Sequence, residues 1–235
     1  MSKLNIAVIT GAGISVESGL STFRGAGGLW EGYDIHVVAS AEGWRKDPAL
    51  VLDFYNKRRK QAQDAQPNKA HLLLAELEKL AEVTIITQNV DDLHEKAGSS
   101  QIIHLHGQLN KVRSVKNSRY VLHCEEDIEL GRCCPKGGQL RPDIVWFGEA
   151  VPRIEPAARV VSRADLVLIV GTSLQVYPAA GLVLEASPRA AIWYIDPDPG
   201  EDLIPYFGDR LQLVRKTASE GMLDFLNWIS ERSEP

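Results

Sequence analysis

Cysteine is scarce, with Cys124, Cys133 and Cys134 the only three in 235 residues. So small and odd a count builds no disulfide framework, and a reducing, cytoplasmic setting is expected. There is no run of about 18 apolar residues, so no membrane-spanning helix is expected. Basic residues are outnumbered, 26 Lys and Arg against 31 Asp and Glu, for a formal net charge of −5. Without a basic excess or a basic tail, nucleic acid is not an expected partner. The first apolar run begins almost at once, which leaves no room for a leader peptide before it. Internal repeats and low-complexity stretches are also missing. What is present is ordinary, 44% hydrophobic and 24% charged, enough for one substantial core with a small lobe.

Apolar runs of strand length recur at 5–10, 83–87, 102–105, 166–170, 192–195 and 211–214. Helix-like stretches at 48–65, 71–80, 177–186 and 219–229 lie between several of them. In the second of these, Leu72, Leu73, Leu77 and Leu80 give an apolar face. This alternation predicts an α/β fold with a largely parallel sheet. Two stretches interrupt it: 31–68, which reads as mostly helical, and 108–142, which lacks periodicity and holds every cysteine. Connections that long are usually functional or form small lobes, so both are expected to build a second lobe over one edge of the sheet.

In an open α/β sheet, ligands bind beyond the carboxyl ends of the strands. The expected exits are Gly11-Ala12-Gly13, Gln88-Asn89-Val90-Asp91, His106-Gly107, Gly171-Thr172-Ser173, Asp196-Pro197-Asp198 and Thr217-Ala218-Ser219. All are small, polar or ionisable. A glycine turn between a strand and a helix start lets a backbone approach a phosphate, with the first helical N–H groups aimed at it. The hydride-transfer fingerprint nevertheless fails, because its third glycine falls on Val16. The loop Arg24-Gly25-Ala26-Gly27-Gly28 has no place in that fingerprint either. His104 and His106 share a strand face, and spacing alone does not say which would act as a base.

Six segments together carry a specific resemblance: Gly-Ala-Gly-Ile-Ser at 11–15, Thr-Phe-Arg-Gly at 22–25, Gln-Asn-Val-Asp at 88–91, His-Gly at 106–107, Val-Trp-Phe-Gly-Glu at 145–149 and Gly-Thr-Ser at 171–173. In order and spacing the chain resembles the sirtuin family of NAD-dependent protein deacylases. The resemblance implies a Rossmann-like domain from 1–30, 69–107 and 143–235, with helices on both faces of its sheet. It implies a small lobe from the helical insertion 31–68 and a degenerate zinc-ribbon-like insertion 108–142. It implies NAD as co-substrate and acylated-lysine proteins or peptides as partners. Nicotinamide, O-acyl-ADP-ribose and free lysine would be the products. Gly11, Ala12, Gly13, Ile14, Ser15, Phe23, Arg24 and Trp30 would hold the cofactor on one side. Gln88, Asn89, Val90 and Asp91 would sit by the nicotinamide ribose, and Gly171, Thr172, Ser173, Asp196 and Ala218 by the adenosine half. Asn89, Asp91 and His106 would be catalytic, and the family motif favours His106 over His104. Val145, Trp146, Phe147, Gly148 and Glu149 would form an edge along which substrate peptide adds as a strand. A mono-ADP-ribosyltransferase and an inactive NAD-sensing module are the competing readings, and a monomer is the expected state.

Tyr55 and Arg58 are i and i+3 on an expected helix and so share a face. Their Tyr-x-x-Arg pattern resembles sirtuins that remove succinyl and malonyl groups, whose acyl chains end in a carboxylate; acetyl would be a further substrate. Arg can grip a carboxylate by a charge-assisted fork and Tyr adds a donor. The family's usual structural zinc needs two Cys-x-x-Cys pairs. Here Gly137 stands where the fourth thiol belongs, so Cys124, Cys133 and Cys134 are weak ligand candidates and no zinc is expected.

Overall fold

The computed structural model describes residues 3–22, 29–30 and 32–233. In chain order its strands are β1 (Asn5–Thr10), β2 (Leu29–Trp30), β3 (Tyr33–Asp34), β4 (Glu82–Thr87), β5 (Ile102–His104), β6 (Gly107–Ser114), β7 (Asn117–His123), β8 (Leu140–Ile144), β9 (Leu166–Val170), β10 (Ala191–Ile195) and β11 (Leu211–Val214). The α-helices are α1 (Ile35–Val38), α2 (Ala41–Lys46), α3 (Pro48–Asp64), α4 (Lys69–Leu77), α5 (Leu93–Ala97), α6 (Ile154–Arg163), α7 (Ile204–Phe207) and α8 (Ala218–Ser233).

Six strands pair in the order β11-β10-β9-β1-β4-β5, every ladder parallel. The α/β expectation holds. Strand alternation divides the core in two. Ile6, Val8, Val83, Ile85, Leu166 and Leu168 face α4 and α8 through Leu74, Leu77, Met222 and Phe225. Ala7, Ile9, Ile86, Val167 and Ile169 face the other way, onto Ala157 and Val161 of α6 and onto Leu182 and Val183. Each fully buried Val, Leu or Ile contributes about 1.5–3 kcal/mol, so the central strands, covered on both faces, read as unbroken apolar runs.

Local signals set the helix starts. Asp47 accepts from the Leu50 amide ahead of Pro48, a residue suited to the first turn because it has no N–H to leave orphaned. Asn68 accepts from the Ala70 and His71 amides, and its Nδ2 donates 2.7 Å to the Ile14 carbonyl, tying α4 to the glycine segment.

Three expectations change. The turn after β1 leads into a 3-10 helix, Ala12–Ser18, closed by Gly19 at φ 84°, rather than an α-helix. The helix expected at 177–186 is a 3-10 helix over Ala179–Glu185, in which Gly181 is the one strongly helix-disfavouring residue. The stretch 108–142 supplies all of β7, most of β6 and the first three residues of β8, an antiparallel sheet in the order β7-β6-β8. This sheet packs on α3: Leu52 meets Val112, Cys124, Ile128 and Leu140, while Phe54 and Tyr55 meet Leu109, Ile144 and Trp146.

Two buried imidazoles lie beneath the end of β1. His71 on α4 and His94 on α5 meet edge to face, ring centroids 4.9 Å apart, with His94 Nε2 3.0 Å from the Thr10 hydroxyl. Burial pushes His71 down from 6.5 to about 4, against a small opposing pull from Glu17. Burial, then repulsion from His71 and His104, pushes His94 well below the usual imidazole range. On acidification the unfolded chain therefore takes up these protons first. The His71 contribution to stability is complete above pH 6.5 and lost as pH falls toward about 4, and that of His94 is lost in the same direction. For His71 that window corresponds to about 3 kcal/mol. The urea midpoint should fall across it, and His71→Leu should flatten the fall; an unchanged slope in the variant would contradict this assignment.

Candidate functional site

From β1 the chain steps outward to β4 and β5, then returns to run outward on the other side through β9, β10 and β11. The reversal lies between β1 and β9, where an open α/β sheet binds its ligands. A cleft of about 530 Å³ opens there, and all six strand exits line it: Gly11, Ala12 and Gly13; Gln88, Asn89, Val90 and Asp91; His106; Gly171, Thr172 and Ser173; Asp196; Thr217 and Ala218. That volume lies within the roughly 300–1,000 Å³ of small-molecule and cofactor sites.

The glycines at the crevice first serve the contact between two loops. The Gly13 amide donates 2.8 Å to the Gly171 carbonyl, and the Ile14 amide 3.2 Å to that of Gly11. A Cβ on Gly11 would sit 2.6 Å from Thr172 Cβ, and one on Gly13 2.7 Å from the Gly171 oxygen. Gly171, at φ +61°, would drive a Cβ into the Ile14 amide. The expectation that these N–H groups point at a phosphate is thus corrected for Gly13 and Ile14, whose amides are already engaged. Ile14 itself is fully buried in the core.

Below the crevice, Ser15 joins two polar residues of the β4 exit. Its hydroxyl donates 3.1 Å to Asp91 Oδ2 and accepts from Asn89 Nδ2 at 3.0 Å. Burial raises the Asp91 carboxyl above the ordinary range, opposed by the Leu93 amide and the Ser15 hydroxyl. Gln88 Nε2 donates 3.0 Å to the Thr172 hydroxyl, tying the β4 and β9 exits together. The Val90 carbonyl accepts from the Leu109 amide at 2.7 Å.

The two histidines left open by spacing separate by their partners. His104 is buried, its Nδ1 3.2 Å from the Asn89 carbonyl and its Nε2 2.7 Å from Glu95 Oε1. His106 lies past the strand and lines the cleft, with Nδ1 3.1 Å from the Gln88 carbonyl. A carbonyl only accepts, so Nδ1 carries the hydrogen and Nε2 is left as the basic nitrogen. Burial lowers the His106 pKa, partly opposed by that hydrogen bond, so the neutral imidazole prevails at pH 7. Gly107 follows at φ +87°, where a Cβ would meet the Asp143 carbonyl.

The segment 145–149 differs from the open edge expected of it. The amides of Val145, Phe147 and Glu149 donate to the carbonyls of His106, Ala39 and Trp146. The Trp146 amide donates to Glu149 Oε2 at 2.9 Å. Those four amides are not open to a peptide strand; Gly148 at φ +83° is the turn between them. Glu149 is likewise engaged, 2.7 Å from Arg141 Nη1 and 2.9 Å from Arg113 Nη2. Arg141 in turn covers the Trp146 indole, its Cζ 3.2 Å from the ring centroid. Nothing in the sequence marked Arg141, which lies in an unpatterned stretch.

Tyr55 and Arg58 reach the same cleft from α3. Tyr55 is fully buried, its oxygen accepting from Trp146 Nε1 at 3.1 Å, and burial raises its pKa far above the ordinary phenol range. Arg58 is 6% exposed, with Nη1 3.1 Å from Gln61 Oε1 and Cζ 4.9 Å from the centre of the Trp30 ring. Trp30 packs edge-on against Phe54 at 5.1 Å and Tyr55 at 6.3 Å. Apolar aromatic faces thus carry this end of the cleft.

Residues 11–178 match the model of the Sir2 family. The chain belongs to the Sir2 family. It is 54% identical over 222 residues to a Helicobacter pylori (strain J99 / ATCC 700824) protein named NAD-dependent protein deacylase, covering 94% of each chain. It is similar in fold to a mutant Sir2 homologue in complex with ADP-ribose, at a TM-score of 0.87 and 40% identity over 97% of this chain and 92% of that one. A complex of Sir2, p53 peptide and NAD+ aligns at a TM-score of 0.79 and 30% identity, over 96% of this chain and 93% of the other.

At the outer end of this Sir2 cleft, Asp196 is half-buried, and one carboxylate oxygen accepts from the Asp198 amide at 2.9 Å. Burial, then repulsion from Asp198, raises its pKa. Ala218 opens α8, and the following Ser219 gives both its amide and hydroxyl to Glu17 Oε2. Glu17 also lines the cleft and was not singled out from sequence. Phe23 and Arg24, expected to help hold the cofactor, lie outside the described residues. Between β7 and β8, the Cys134 sulfur accepts from the Ser114 hydroxyl and the Gly138 amide, and the Cys124 thiol donates to the Glu126 carbonyl. Cys133 is exposed. Among the described residues, no group of three or more His, Cys, Asp or Glu is placed to hold a metal ion.

Proposed function

We propose that this chain is an NAD-dependent protein-lysine deacylase whose substrates include succinyl- and malonyl-lysine as well as acetyl-lysine. The observation that carries the reading is the convergence of all six strand exits on one cleft containing a neutral His106 with its basic nitrogen defined. The cleft suits a dinucleotide: it has the required volume, the Asp196 carboxylate for ribose hydroxyls at one end, and the amides and carboxyl of Asn89 and Asp91 at the other. When bound, NAD supplies a sugar–nicotinamide bond whose cleavage opens the ribose carbon to the acyl oxygen. Asn89 and Asp91, held by Ser15, orient that sugar and favour positive charge on it. His106 takes a proton from a ribose hydroxyl at Nε2. Ala12, Gly13 and Thr172 shape the wall along the diphosphate; Val145, Trp146 and Phe147 wall the lysine approach. The three thiols are free, which suits a reducing cytoplasm.

Tyr55 and Arg58 support the acidic-acyl reading. A guanidinium and a permanently protonated phenol, set side by side in an apolar wall, suit a carboxylate. Arg58→Met should lower kcat/KM on a succinyl-lysine peptide by roughly 10- to 100-fold, the scale of one lost charged hydrogen bond. Activity on the acetyl peptide should stay within about threefold, because acetyl has no carboxylate for the guanidinium to meet. Equal loss on both peptides would remove the acyl-carboxylate assignment and leave deacylation standing.

A further inference from the structure

His104 was the histidine the chemistry did not need, yet it is the better anchored of the two. The end of β5 and the turn after it present two imidazoles, at 104 and 106, to successive carbonyls of the β4 exit. His106 Nδ1 meets the Gln88 carbonyl at 3.1 Å and His104 Nδ1 meets that of Asn89 at 3.2 Å. The next residue down the loop is held as well, the Val90 carbonyl by the Leu109 amide. Three consecutive carbonyls are therefore fixed from one side, which leaves the Asn89 and Asp91 side chains on the Ser15 hydroxyl.

His104 differs from His106 at its second nitrogen. Nε2 lies 2.7 Å from Glu95 Oε1, and that oxygen also accepts from Gln108 Nε2 at 3.3 Å. A carbonyl and a carboxylate both accept, so the ring satisfies both only when each nitrogen bears a hydrogen. Glu95 belongs to α5, whose first amide, that of Leu93, binds Asp91 Oδ1 at 3.2 Å. The loop and the helix that follows it are thus closed into one ring of contacts: Asn89 carbonyl, His104, Glu95, α5, Asp91, Ser15 and back to Asn89.

We propose that the His104–Glu95 pair is a positioning device for the NAD-cleaving step. It fixes the peptide plane of Asn89, and through it the Asn89 and Asp91 side chains, without touching substrate. The charged groups facing the pair are Lys111 from β6, which acts on Glu95, and Asp91 from the loop; His94 stands behind it on α5. Because Asn89 and Asp91 are assigned to the nicotinamide ribose, the inference rests on the proposed function.

The two single-carbonyl amides separate the two contacts. Asparagine at 104 puts its amide near Nδ1 and keeps the donor to Asn89; glutamine puts it near Nε2 and keeps only the link to Glu95. His104→Gln should slow nicotinamide release at saturating NAD by about tenfold, or about 1.4 kcal/mol. Its affinity for ADP-ribose, measured by calorimetry, should stay within about twofold, since that ligand keeps the ribose the loop orients but is held mainly at the β1, β9 and β10 exits. His104→Asn should recover most of the lost kcat. Glu95→Gln, at a half-exposed position that leaves the fold intact, should show a smaller loss in kcat with the same unchanged ADP-ribose affinity. Parallel loss of kcat and ADP-ribose affinity would make the pair merely structural and overturn the proposal, as would equal behaviour of the Asn and Gln variants or an unchanged kcat. A parent protein that releases no nicotinamide would instead overturn the function on which the inference rests.

Discussion

Replacing His106 by alanine should lower the rate of deacylation by at least about 100-fold, the lower end of what a positioned general base contributes. The geometry gives the reason. Nδ1 is committed to the Gln88 carbonyl, so Nε2 is the ring's acceptor, and burial keeps the ring neutral at pH 7. Among the described residues no other imidazole lines the cleft, His36 and His123 included. His104 is bound at both nitrogens, and His71 and His94 are buried beneath β1 and absent from the cleft lining. Binding of ADP-ribose should change little, because His106 contributes one wall of a cleft held mainly by the β1, β9 and β10 exits. In the parent, the acid limb of the kcat/KM profile should lie below pH 6.5, since the base must be unprotonated and burial lowers its pKa. The His106→Ala variant should lose that limb. A loss of less than about tenfold would take the base role away from His106.

Gly171→Ala should be among the most damaging small substitutions in the chain. Two costs add: a positive φ costs a side-chain-bearing residue about 1–2 kcal/mol, and forcing a methyl into packed backbone costs about 1–3. At 171 both apply, with φ at +61° and the Ile14 amide in the path of the new Cβ. Urea unfolding should show a loss of about 3 kcal/mol or more, and what folds should bind ADP-ribose poorly because the β1 and β9 exits have parted. Gly19→Ala is the control. Its φ is +84° but nothing lies within 4 Å of the added Cβ. It should lose only the conformational part, about 1–2 kcal/mol, and retain ligand binding. Similar losses at the two positions would show that loop contact is not what Gly171 serves.

These two positions also show where sequence was informative. Strands such as β1 and β9 are legible because both faces are buried and the pattern is a plain apolar run. The site was legible because a parallel sheet sends every strand exit to one side, so six short segments scattered through the chain had to meet. The purpose of the glycines was not legible. Gly11, Gly13 and Gly171 are distant in sequence, and only the fold reveals that each makes room for another loop. The sheet β7-β6-β8 was missed because its strands mix charges with apolar residues. Leu140–Ile144 even contains Pro142, a residue that normally argues against a strand. The backbone pairing at 145–149 was hidden for a related reason. Its amides are claimed by His106 and Ala39, residues that sequence gives no reason to place beside it. The pairing of His104 with Glu95 was equally hidden, because it joins a strand to the helix before it rather than following either pattern.

The most direct test of the whole account is one incubation followed by mass spectrometry. Succinyl-, malonyl- and acetyl-lysine peptides are mixed with the protein, each with and without NAD. With NAD, the acyl mass should leave the peptide as nicotinamide and O-acyl-ADP-ribose appear in equal amounts; without NAD nothing should change. ADP-ribose mass gained by protein in place of acyl loss would make the chain a transferase, and no NAD-dependent change on any peptide would contradict the deacylase assignment outright.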